Sequence, residues 1–345
     1  MPTHHNRVSR KWLKERALAD PTPRVTLSFY HYFEIEHPGE FRDSWYNQLV
    51  QWDVYGRIYI AHEGINAQIS CPDHHLINLT DFLNTHPALK GIRLNKAVEE
   101  KRNSFYVLDI KVRRKIVADG IGDPEFSMAN KGRYVNARAF NELANDPNTL
   151  IIDMRNHYEY EVGHFKNAVE IPSDTFREQL PMAIDMFTAE KDRNIIMYCT
   201  GGIRCEKASA WMLHNGFKNV FHLEGGIIHY VNQARELGLE NRFIGKNFVF
   251  DERLGERISE DILSTCHTCG KPSDTHVNCV NSACHLLLIQ CDECQQKLKG
   301  CCSSECLDVV QLPEEQQKSI RRGVDKGQNI FNKSRKKKQQ AGPLR

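Results

Sequence analysis

The amino-acid sequence predicts a multidomain α/β protein, and three observations support that class. Strand and helix patterns in the first third of the chain follow the order βαββαβ. In the middle of the chain, apolar strands alternate with amphipathic helices, which is typical of a parallel sheet. Nine of the 12 cysteines then fall between Cys266 and Cys306. A chain of 345 residues is long enough for two or three such units.

Changes in composition divide the chain into three folded units, two connecting segments and two basic ends. The segments are, in chain order, a basic arm (1–23), an α+β unit (24–118), a connector (119–145), an α/β unit (146–240), a linker (241–264), a cysteine-rich module (265–307) and a basic tail (308–345). From position 317 onward the tail holds ten lysines or arginines and one aspartate. Such a tail either binds a polyanion or is a solubilising segment.

The first unit is expected to adopt a ferredoxin-like fold, because its elements follow the order of that fold. The expected elements are strand 25–33, helix 41–52, strands 56–61 and 65–70, helix 75–84 and a strand region at 105–117. Lys111, Arg113 and Lys115 alternate in the last strand, so they would share one of its faces. That face is either solvated or a strip that contacts nucleic acid.

Cys199 is the residue that says most about function. It lies in the run Tyr-Cys-Thr-Gly-Gly-Ile-Arg-Cys-Glu (198–206), between an apolar strand and a helical pattern. Backbone N–H groups in such a turn favour negative charge and can lower a thiol pKa from about 8.5 to about 3.5–7.5. Gly201 and Gly202 let the loop curl tightly, and Arg204 adds a positive charge. The run predicts a thiolate nucleophile rather than a structural cysteine.

Five further residues are candidates for supporting roles in this site: Asp153, Arg155, Cys205, His62 and Glu63. Asp153 and Arg155 lie at the end of a neighbouring strand, and ligands bind at the carboxyl ends of parallel strands. Cys205 is either a resolving thiol for Cys199 or a side chain that packs under the loop. His62 and Glu63 are either an acid–base pair or the polar residues of a β-turn.

The cysteine-rich module has the spacing of a metal-binding unit. Eight of its cysteines form four pairs, enough for two tetrahedral zinc sites: Cys266/Cys269, Cys279/Cys284, Cys291/Cys294 and Cys302/Cys306. The pairs combine either sequentially or interleaved, Cys301 is spare, and a cysteine could be replaced by His267, His276 or His285. Because the module is too small for a large core, the metal would supply its folding energy. The alternative is a loosely ordered segment with reduced thiols.

The sequence points to neither a membrane nor export. The first residues contain no apolar signal region, and no run approaches the roughly 18–20 apolar residues of a membrane-spanning helix. We therefore expect a cytoplasmic protein whose thiols stay reduced. This expectation favours metal binding over disulfides in the cysteine-rich module.

The second unit resembles the rhodanese domain. Five motifs carry this resemblance, in the order of that family, at 153–155, 159–165, 168–172, 199–204 and 223–226. The resemblance implies that Cys199 carries a persulfide or acts directly as a thiolate. Related dual-specificity phosphatases have five residues between cysteine and arginine, whereas four intervene here: Thr200, Gly201, Gly202 and Ile203. The shorter loop disfavours phosphate chemistry.

The chain as a whole is similar to the rhodanese-like tRNA uridine-34 5-hydroxylase family. The runs that carry this resemblance lie at 61–67, 156–161, 199–207 and 245–253. It implies an enzyme that uses O2 to place a hydroxyl group on C5 of the wobble uridine, with Cys199 as the active residue. The tRNA anticodon loop would be the partner, held by the basic arm and tail. No flavin motif and no His/carboxylate iron triad is evident, so no organic cofactor is identified.

Three hypotheses about function follow. The leading one is that the Cys199 thiolate adds to C6 of uracil and makes C5 electron-rich enough to react with oxygen. The second is a sulfurtransferase that passes on sulfur from a persulfide on Cys199. The third is a non-catalytic RNA-binding protein with a rhodanese fold, which the presence of the cysteine, the glycines and the arginine argues against.

Overall fold

The computed structural model describes residues 10–99 and 104–323. The outer parts of the predicted basic arm and tail, residues 1–9 and 324–345, lie outside the described residues. The arm contains a helix, α1 (Arg10–Ala19), which was not expected from the sequence. Its sequence is rich in strong helix formers, and Ala17 is buried.

The first domain is a five-stranded sheet with two helices packed on one face. Its elements are β1 (Arg24–Tyr32), α2 (Pro38–Gln51), β2 (Tyr55–Ala61), β3 (Gly64–Pro72), α3 (Leu76–Thr85), β4 (Asn95–Lys96) and β5 (Leu108–Val112). The strands lie in the order β4-β1-β3-β2-β5, and β3 is antiparallel to both of its neighbours. This arrangement confirms the predicted ferredoxin-like fold.

Alternation along the strands gives this sheet two different faces. Leu27 and Phe29 of β1 belong to the apolar core, together with Trp45 of α2 and Leu79 of α3. The residues between them, such as Ser28, are only partly buried and lie on the opposite face. That second face is polar and aromatic, and it is turned toward the second domain.

The predicted strand region at 105–117 is shorter in the structure. The Arg113 N–H still donates to the Ile60 carbonyl at 2.8 Å, but β5 ends one residue earlier and the chain then turns. Lys111 pairs with Asp109 on its own strand, at 2.5 Å. The prediction that the three basic residues share one strand face is therefore wrong, because Lys115 lies beyond the last pair of the ladder.

The second domain is built around a five-stranded parallel sheet, as predicted. Its elements are β6 (Arg133–Val135), α4 (Ala137–Leu143), β7 (Thr149–Asp153), α5 (His157–Tyr160), β8 (Gly163–Phe165), β9 (Val169–Glu170), α6 (Phe176–Met186), β10 (Asn194–Tyr198), α7 (Ile203–His214), β11 (Asn219–Leu223) and α8 (Gly226–Leu237). The strand order is β6-β11-β10-β7-β9, and neighbouring strands are parallel. Cys199 therefore leaves the sheet at its central strand.

Both predicted connecting segments contribute to folded structure. In the connector 119–145, β6 pairs with β11, and Phe140 of α4 is buried against Tyr230 of α8. The linker 241–264 contains two strands, β12 (Phe243–Asn247) and β13 (Glu256–Arg257). β12 lies between β13 and β8 in a separate three-stranded sheet. Each segment thus completes the second domain instead of only joining its neighbours.

The cysteine-rich module is a short hairpin with small helices. Its elements, and the helix that follows them in the tail, are β14 (His276–Asn278), β15 (Leu287–Ile289), α9 (Asp292–Lys297), α10 (Ser304–Gln311) and α11 (Glu314–Arg321). Its small core combines apolar side chains with cysteines. In residues 10–99 and 104–323, no helix has the length and apolar character needed to span a membrane.

Candidate active site at the domain interface

Cys199 sits where the central strand of the parallel sheet ends. The loop is short, because β10 ends at Tyr198 and α7 begins at Ile203. Gly202 precedes the helix with φ +101°, and a Cβ atom there would lie 3.0 Å from the Tyr30 hydroxyl oxygen. The backbone conformation therefore favours glycine, and the space beside Tyr30 is tight for any larger residue. The Gly202 N–H donates a hydrogen bond to Cys199 Sγ at 3.2 Å.

The environment of Cys199 favours its thiolate form. Burial alone would raise the pKa of this thiol. A hydrogen bond from the Cys205 thiol, the charge of Arg204 and the backbone N–H groups of Cys205 and Gly202 outweigh burial and lower the pKa to about 6. Burial and the neighbouring Cys199 raise the pKa of Cys205 well above its usual value. At neutral pH the pair is a thiolate that accepts a hydrogen bond from a thiol.

Arg204 is held in place by Glu159, whose role was not predicted from the sequence. The two terminal nitrogens of Arg204 donate to the two carboxylate oxygens of Glu159 at 2.7 and 2.8 Å. Burial would raise the pKa of Glu159, but the charge and hydrogen bonds of Arg204 lower it. The same carboxylate accepts from the Asn156 N–H at 3.1 Å and from the Thr200 hydroxyl at 3.3 Å. Glu159 therefore fixes the loop from the start of α5.

Asp153 and Arg155 form a buried frame beneath the loop. Both side chains are fully buried and pair through Arg155 Nη2 and Asp153 Oδ2 at 2.7 Å. The Tyr198 hydroxyl donates to Asp153 Oδ2 at 2.6 Å, and Arg155 Nη2 donates to the Gly163 carbonyl at 2.5 Å. Neither side chain lines the cavity described below. Their position favours a structural role in support of the strand ends.

His62 and Glu63 occupy the turn between β2 and β3, and neither lines the cavity. His62 Nδ1 lies 2.9 Å from the Ile35 carbonyl oxygen. Glu63 accepts hydrogen bonds from the Ile116 N–H at 2.8 Å and from Lys207 Nζ at 2.5 Å. These contacts favour the structural interpretation of the turn over the acid–base interpretation.

A cavity of about 440 Å³ lies between the polar face of the first sheet and the Cys199 loop. The sheet supplies Ser28, Asn66 and Gln68 to its wall. The loop supplies Cys199, Thr200, Gly201, Ile203 and Arg204. Phe105, Phe176 and Phe250 add aromatic rings. The volume is in the range of about 300–1,000 Å³ that is usual for small-molecule sites.

The first-domain half of this cavity was not predicted from the sequence. Across β1 and β3, Ser28 pairs in register with Gln68, and Tyr30 pairs with Asn66. Polar residues that alternate with apolar ones on these strands are the signal that could have located it, because residues i and i+2 share a face. The Tyr30 hydroxyl also donates to Glu206 of α7 at 2.9 Å, which ties this sheet to the helix of the loop.

The eight predicted cysteines form two groups that could each hold a metal ion. They are interleaved along the chain: Cys266, Cys269, Cys291 and Cys294 form one, and Cys279, Cys284, Cys302 and Cys306 form the other. The sulfur atoms of Cys269 and Cys291 are 3.7 Å apart, and so are those of Cys284 and Cys302. Tetrahedral zinc with bonds of about 2.3 Å to sulfur requires sulfur atoms about 3.8 Å apart, whereas a disulfide requires about 2.05 Å.

The candidate histidines lie outside both cysteine groups. His267 and His276 instead approach the carboxylate of Glu161, with Nε2 at 3.5 and 3.9 Å from its oxygens. Glu161 follows α5, the helix that carries Glu159. The module therefore docks beside the helix that fixes Arg204. Cys301 is fully buried and belongs to neither group.

The fold and the loop define a class of protein, in which a rhodanese-like domain presents a cysteine thiolate to a second, ferredoxin-like domain. Family models match the chain in three parts: a UPF0176 acylphosphatase-like domain (24–116), a rhodanese-like domain (136–233) and a rhodanase C-terminal region (244–307). A solved rhodanese-like domain from Anabaena aligns with 32% of this chain and 78% of its own, at 22% identity and a TM-score of 0.27.

Full-length relatives narrow the class to one family. The tRNA uridine(34) hydroxylase of Pectobacterium atrosepticum is 60% identical over 336 residues, which cover 97% of this chain and 95% of the relative. That of Yersinia enterocolitica is 59% identical and covers 97% of this chain and 96% of its own. The chain belongs to the tRNA uridine(34) hydroxylase family.

Proposed function

We propose that this chain is a tRNA-modifying enzyme that hydroxylates C5 of uridine 34 to give 5-hydroxyuridine. The observation that carries the proposal is the Cys199 thiolate in the wall of a cavity of about 440 Å³. Relatives named tRNA uridine(34) hydroxylase are 60% identical over 97% of the chain. We also propose a cytoplasmic location, which a tRNA substrate favours.

The anticodon loop is the part of tRNA that suits this site. Its wobble base is unpaired, so turning it into a pocket costs little. Arg113 lines the cavity over the Tyr59 ring, and within the described part of the chain it makes no ion pair, so it can bind a phosphate. A second cavity of about 890 Å³ adjoins the first at Phe250, and Arg57 in its wall can contact the backbone of a neighbouring nucleotide.

Cys199 is the proposed nucleophile. Its Sγ forms a bond to C6 of uracil, and the electron pair of the C5–C6 double bond moves onto C5 and O4 as an enolate. The enolate is electron-rich at C5 and forms a bond to O2. The lowered pKa of about 6 supports this role, since the thiolate exists at neutral pH without a separate base.

Two further electrons complete the oxygen insertion. A thiol reductant supplies these electrons together with two protons. One oxygen atom then stays on C5 as a hydroxyl group, and the other leaves as water. Loss of the C5 proton, and of Sγ from C6, then restores the double bond and frees the thiolate. In balance, uracil, O2 and two thiols give 5-hydroxyuracil, water and one disulfide.

We further propose that the two cysteine groups bind zinc in a structural role. Four thiolates complete a tetrahedron and leave no open position for catalysis. The core of the module is small, so zinc would supply much of its folding energy. The module contacts Glu161 through His267 and His276, and Glu161 is two residues from Glu159. Zinc would therefore also support the helix that orients Arg204.

Nucleoside analysis tests the proposed function. tRNA incubated with the purified full-length chain, O2 and a thiol should contain 5-hydroxyuridine at position 34. No product under these conditions would contradict the function. A mass increment of one sulfur atom on Cys199, together with sulfur transfer to an acceptor, would support the sulfurtransferase hypothesis instead.

The role of Cys199 has its own test. An anticodon stem-loop with 5-fluorouridine at position 34 should form a covalent adduct, because C5 then carries fluorine in place of the proton whose loss releases Sγ from C6. We expect a shifted band on a denaturing gel that Cys199→Ser abolishes. Cys71→Ser is a matched control, since that cysteine is buried in the core of the first domain. An active wild-type chain that forms no adduct would count against addition to C6.

A further inference from the structure

Asn66 belongs to the run 61–67. The reaction proposed for Cys199 assigns no role to the side chains of this run. Asn66 Nδ2 donates to the Ile116 carbonyl oxygen at 3.2 Å. The Ile116 N–H in turn donates to Oε1 of Glu63, in the same run, at 2.8 Å. Two side chains of one short run therefore hold both backbone polar groups of Ile116, and this backbone in turn holds the Asn66 amide.

The Ile116 carbonyl group determines the orientation of the Asn66 side-chain amide. A carbonyl oxygen accepts hydrogen bonds only from donors, so Nδ2 must face Ile116, and Oδ1 is left for another group. Within the described residues, Oδ1 accepts no hydrogen bond. Asn66 lines the cavity that contains Cys199. The cavity wall therefore offers an acceptor whose identity is fixed by the fold.

Asn66 and Cys199 belong to different walls of this cavity. Asn66 pairs in register with Tyr30 of the neighbouring strand, and paired strands are about 4.8 Å apart. A Cβ atom on Gly202 would lie 3.0 Å from the Tyr30 hydroxyl oxygen, so the Cys199 loop rests against β1. Asn66 is one strand further along the sheet. Because both residues line this cavity, a flat ring that spans it can present one edge to Sγ and the opposite edge to the amide.

We propose that Asn66 Oδ1 accepts the N3–H of uracil and thereby selects uracil against cytosine, an inference that rests on the proposed function. C6 and N3 are opposite corners of the pyrimidine ring, so a base with C6 at Cys199 turns N3 away from the loop. Cytosine carries a lone pair at N3, which would face the lone pairs of Oδ1. The amide cannot rotate to suit cytosine, because its oxygen would then oppose the Ile116 carbonyl.

Binding of modified stem-loops tests this inference. Dissociation constants are measured for wild type and Asn66→Ala with uridine, cytidine or 3-methyluridine at position 34. We expect wild type to bind the uridine loop about 10- to 100-fold more tightly than either other loop, since an unpaired buried acceptor costs about 1–3 kcal/mol. In Asn66→Ala this preference should fall to a few-fold, and 3-methyluridine should bind better than it does to wild type. Asn78→Ala, on the exposed side of α3, is the matched control and should keep the full preference.

The outcomes separate this inference from the proposed function. A wild-type chain that makes no 5-hydroxyuridine contradicts the proposed function itself. An active chain whose Asn66→Ala variant keeps the wild-type preference for uridine over cytidine overturns the inference alone. The comparison of uridine with 3-methyluridine on wild type needs no variant, so it applies even if Asn66→Ala does not fold. Equal binding of these two loops would also overturn the inference.

Discussion

Lys207 forms an ion pair with Glu63 across the domain interface, with Nζ 2.5 Å from Oε2. Nζ also lies 2.8 Å from Oδ2 of the buried Asp119. Lys207 is on α7, and the N-terminal end of this helix carries the loop of Cys199. The helix that stabilises the thiolate is thus anchored to the domain that forms the opposite wall of the cavity. This ion-pair cluster positions the two walls relative to each other.

Replacing Lys207 by Met should lower the free energy of unfolding by about 3 kcal/mol, because it removes the partner of largely buried carboxylates. Urea unfolding followed by circular dichroism measures the change. Lys218→Met is the matched control, since Lys218 and Asp192 form a pair whose side chains are 70% and 81% exposed. Exposed pairs contribute about 0–1 kcal/mol. Equal effects of the two substitutions would refute the anchoring role of Lys207.

The rate of Cys199 alkylation by iodoacetamide should rise with pH through about 6 and then level off. The rate rises with pH because the thiolate is the reactive form. Since the pKa of Cys199 is lowered, the thiolate already predominates at neutral pH, and it is lost as the pH falls through about 6. Arg204→Gln removes a positive charge, so the rise should move to higher pH. Peptide mass spectrometry measures the rate. Cys71, whose burial raises its pKa to about 11, should stay unmodified in the same samples.

Two substitutions distinguish the two possible roles of Cys205, as a hydrogen-bond donor to Cys199 or as a resolving thiol. If its thiol serves only to donate a hydrogen bond to Cys199, Cys205→Ser should keep most of the activity, because a hydroxyl group also donates. Cys205→Ala removes the donor and should raise the pKa of Cys199, which moves the alkylation profile to higher pH. Formation of 5-hydroxyuridine and the alkylation profile measure these effects. Loss of activity in Cys205→Ser with an unchanged profile would instead indicate a resolving thiol.

The geometry of the Cys199 loop was predictable from the sequence because its parts are neighbours in the chain. Cys199, Gly202, Arg204 and Cys205 lie within seven consecutive residues, and the N–H groups and the charge that act on the sulfur come from that stretch. Glu159 was not predictable, because it reaches Arg204 from 45 positions away, and only the folded sheet brings α5 to α7. The same holds for Asn66, whose partner Ile116 is 50 positions away.

The fold was predictable wherever a strand has its own strong pattern. The long strands of the first domain alternate apolar and polar residues, and those of the parallel sheet are apolar runs. β6 has three residues and β13 has two, too few to show a period of their own. β6 pairs with β11, which lies far along the chain, and β13 pairs with β12. The positions of both short strands therefore depend on their partners and not on a local pattern. The interleaving of the cysteine pairs depends on tertiary structure in the same way.

The interleaved arrangement of the cysteines predicts which double substitutions remove one metal ion and which remove two. Cys269→Ser with Cys291→Ser alters a single group and should leave one zinc ion per chain. Cys269→Ser with Cys284→Ser alters both groups and should leave none. A sequential arrangement would give the opposite pattern, because Cys269 and Cys284 would then share a site. Metal analysis by mass spectrometry of the untagged chain measures the content, and Cys301→Ser, outside both groups, should keep two ions.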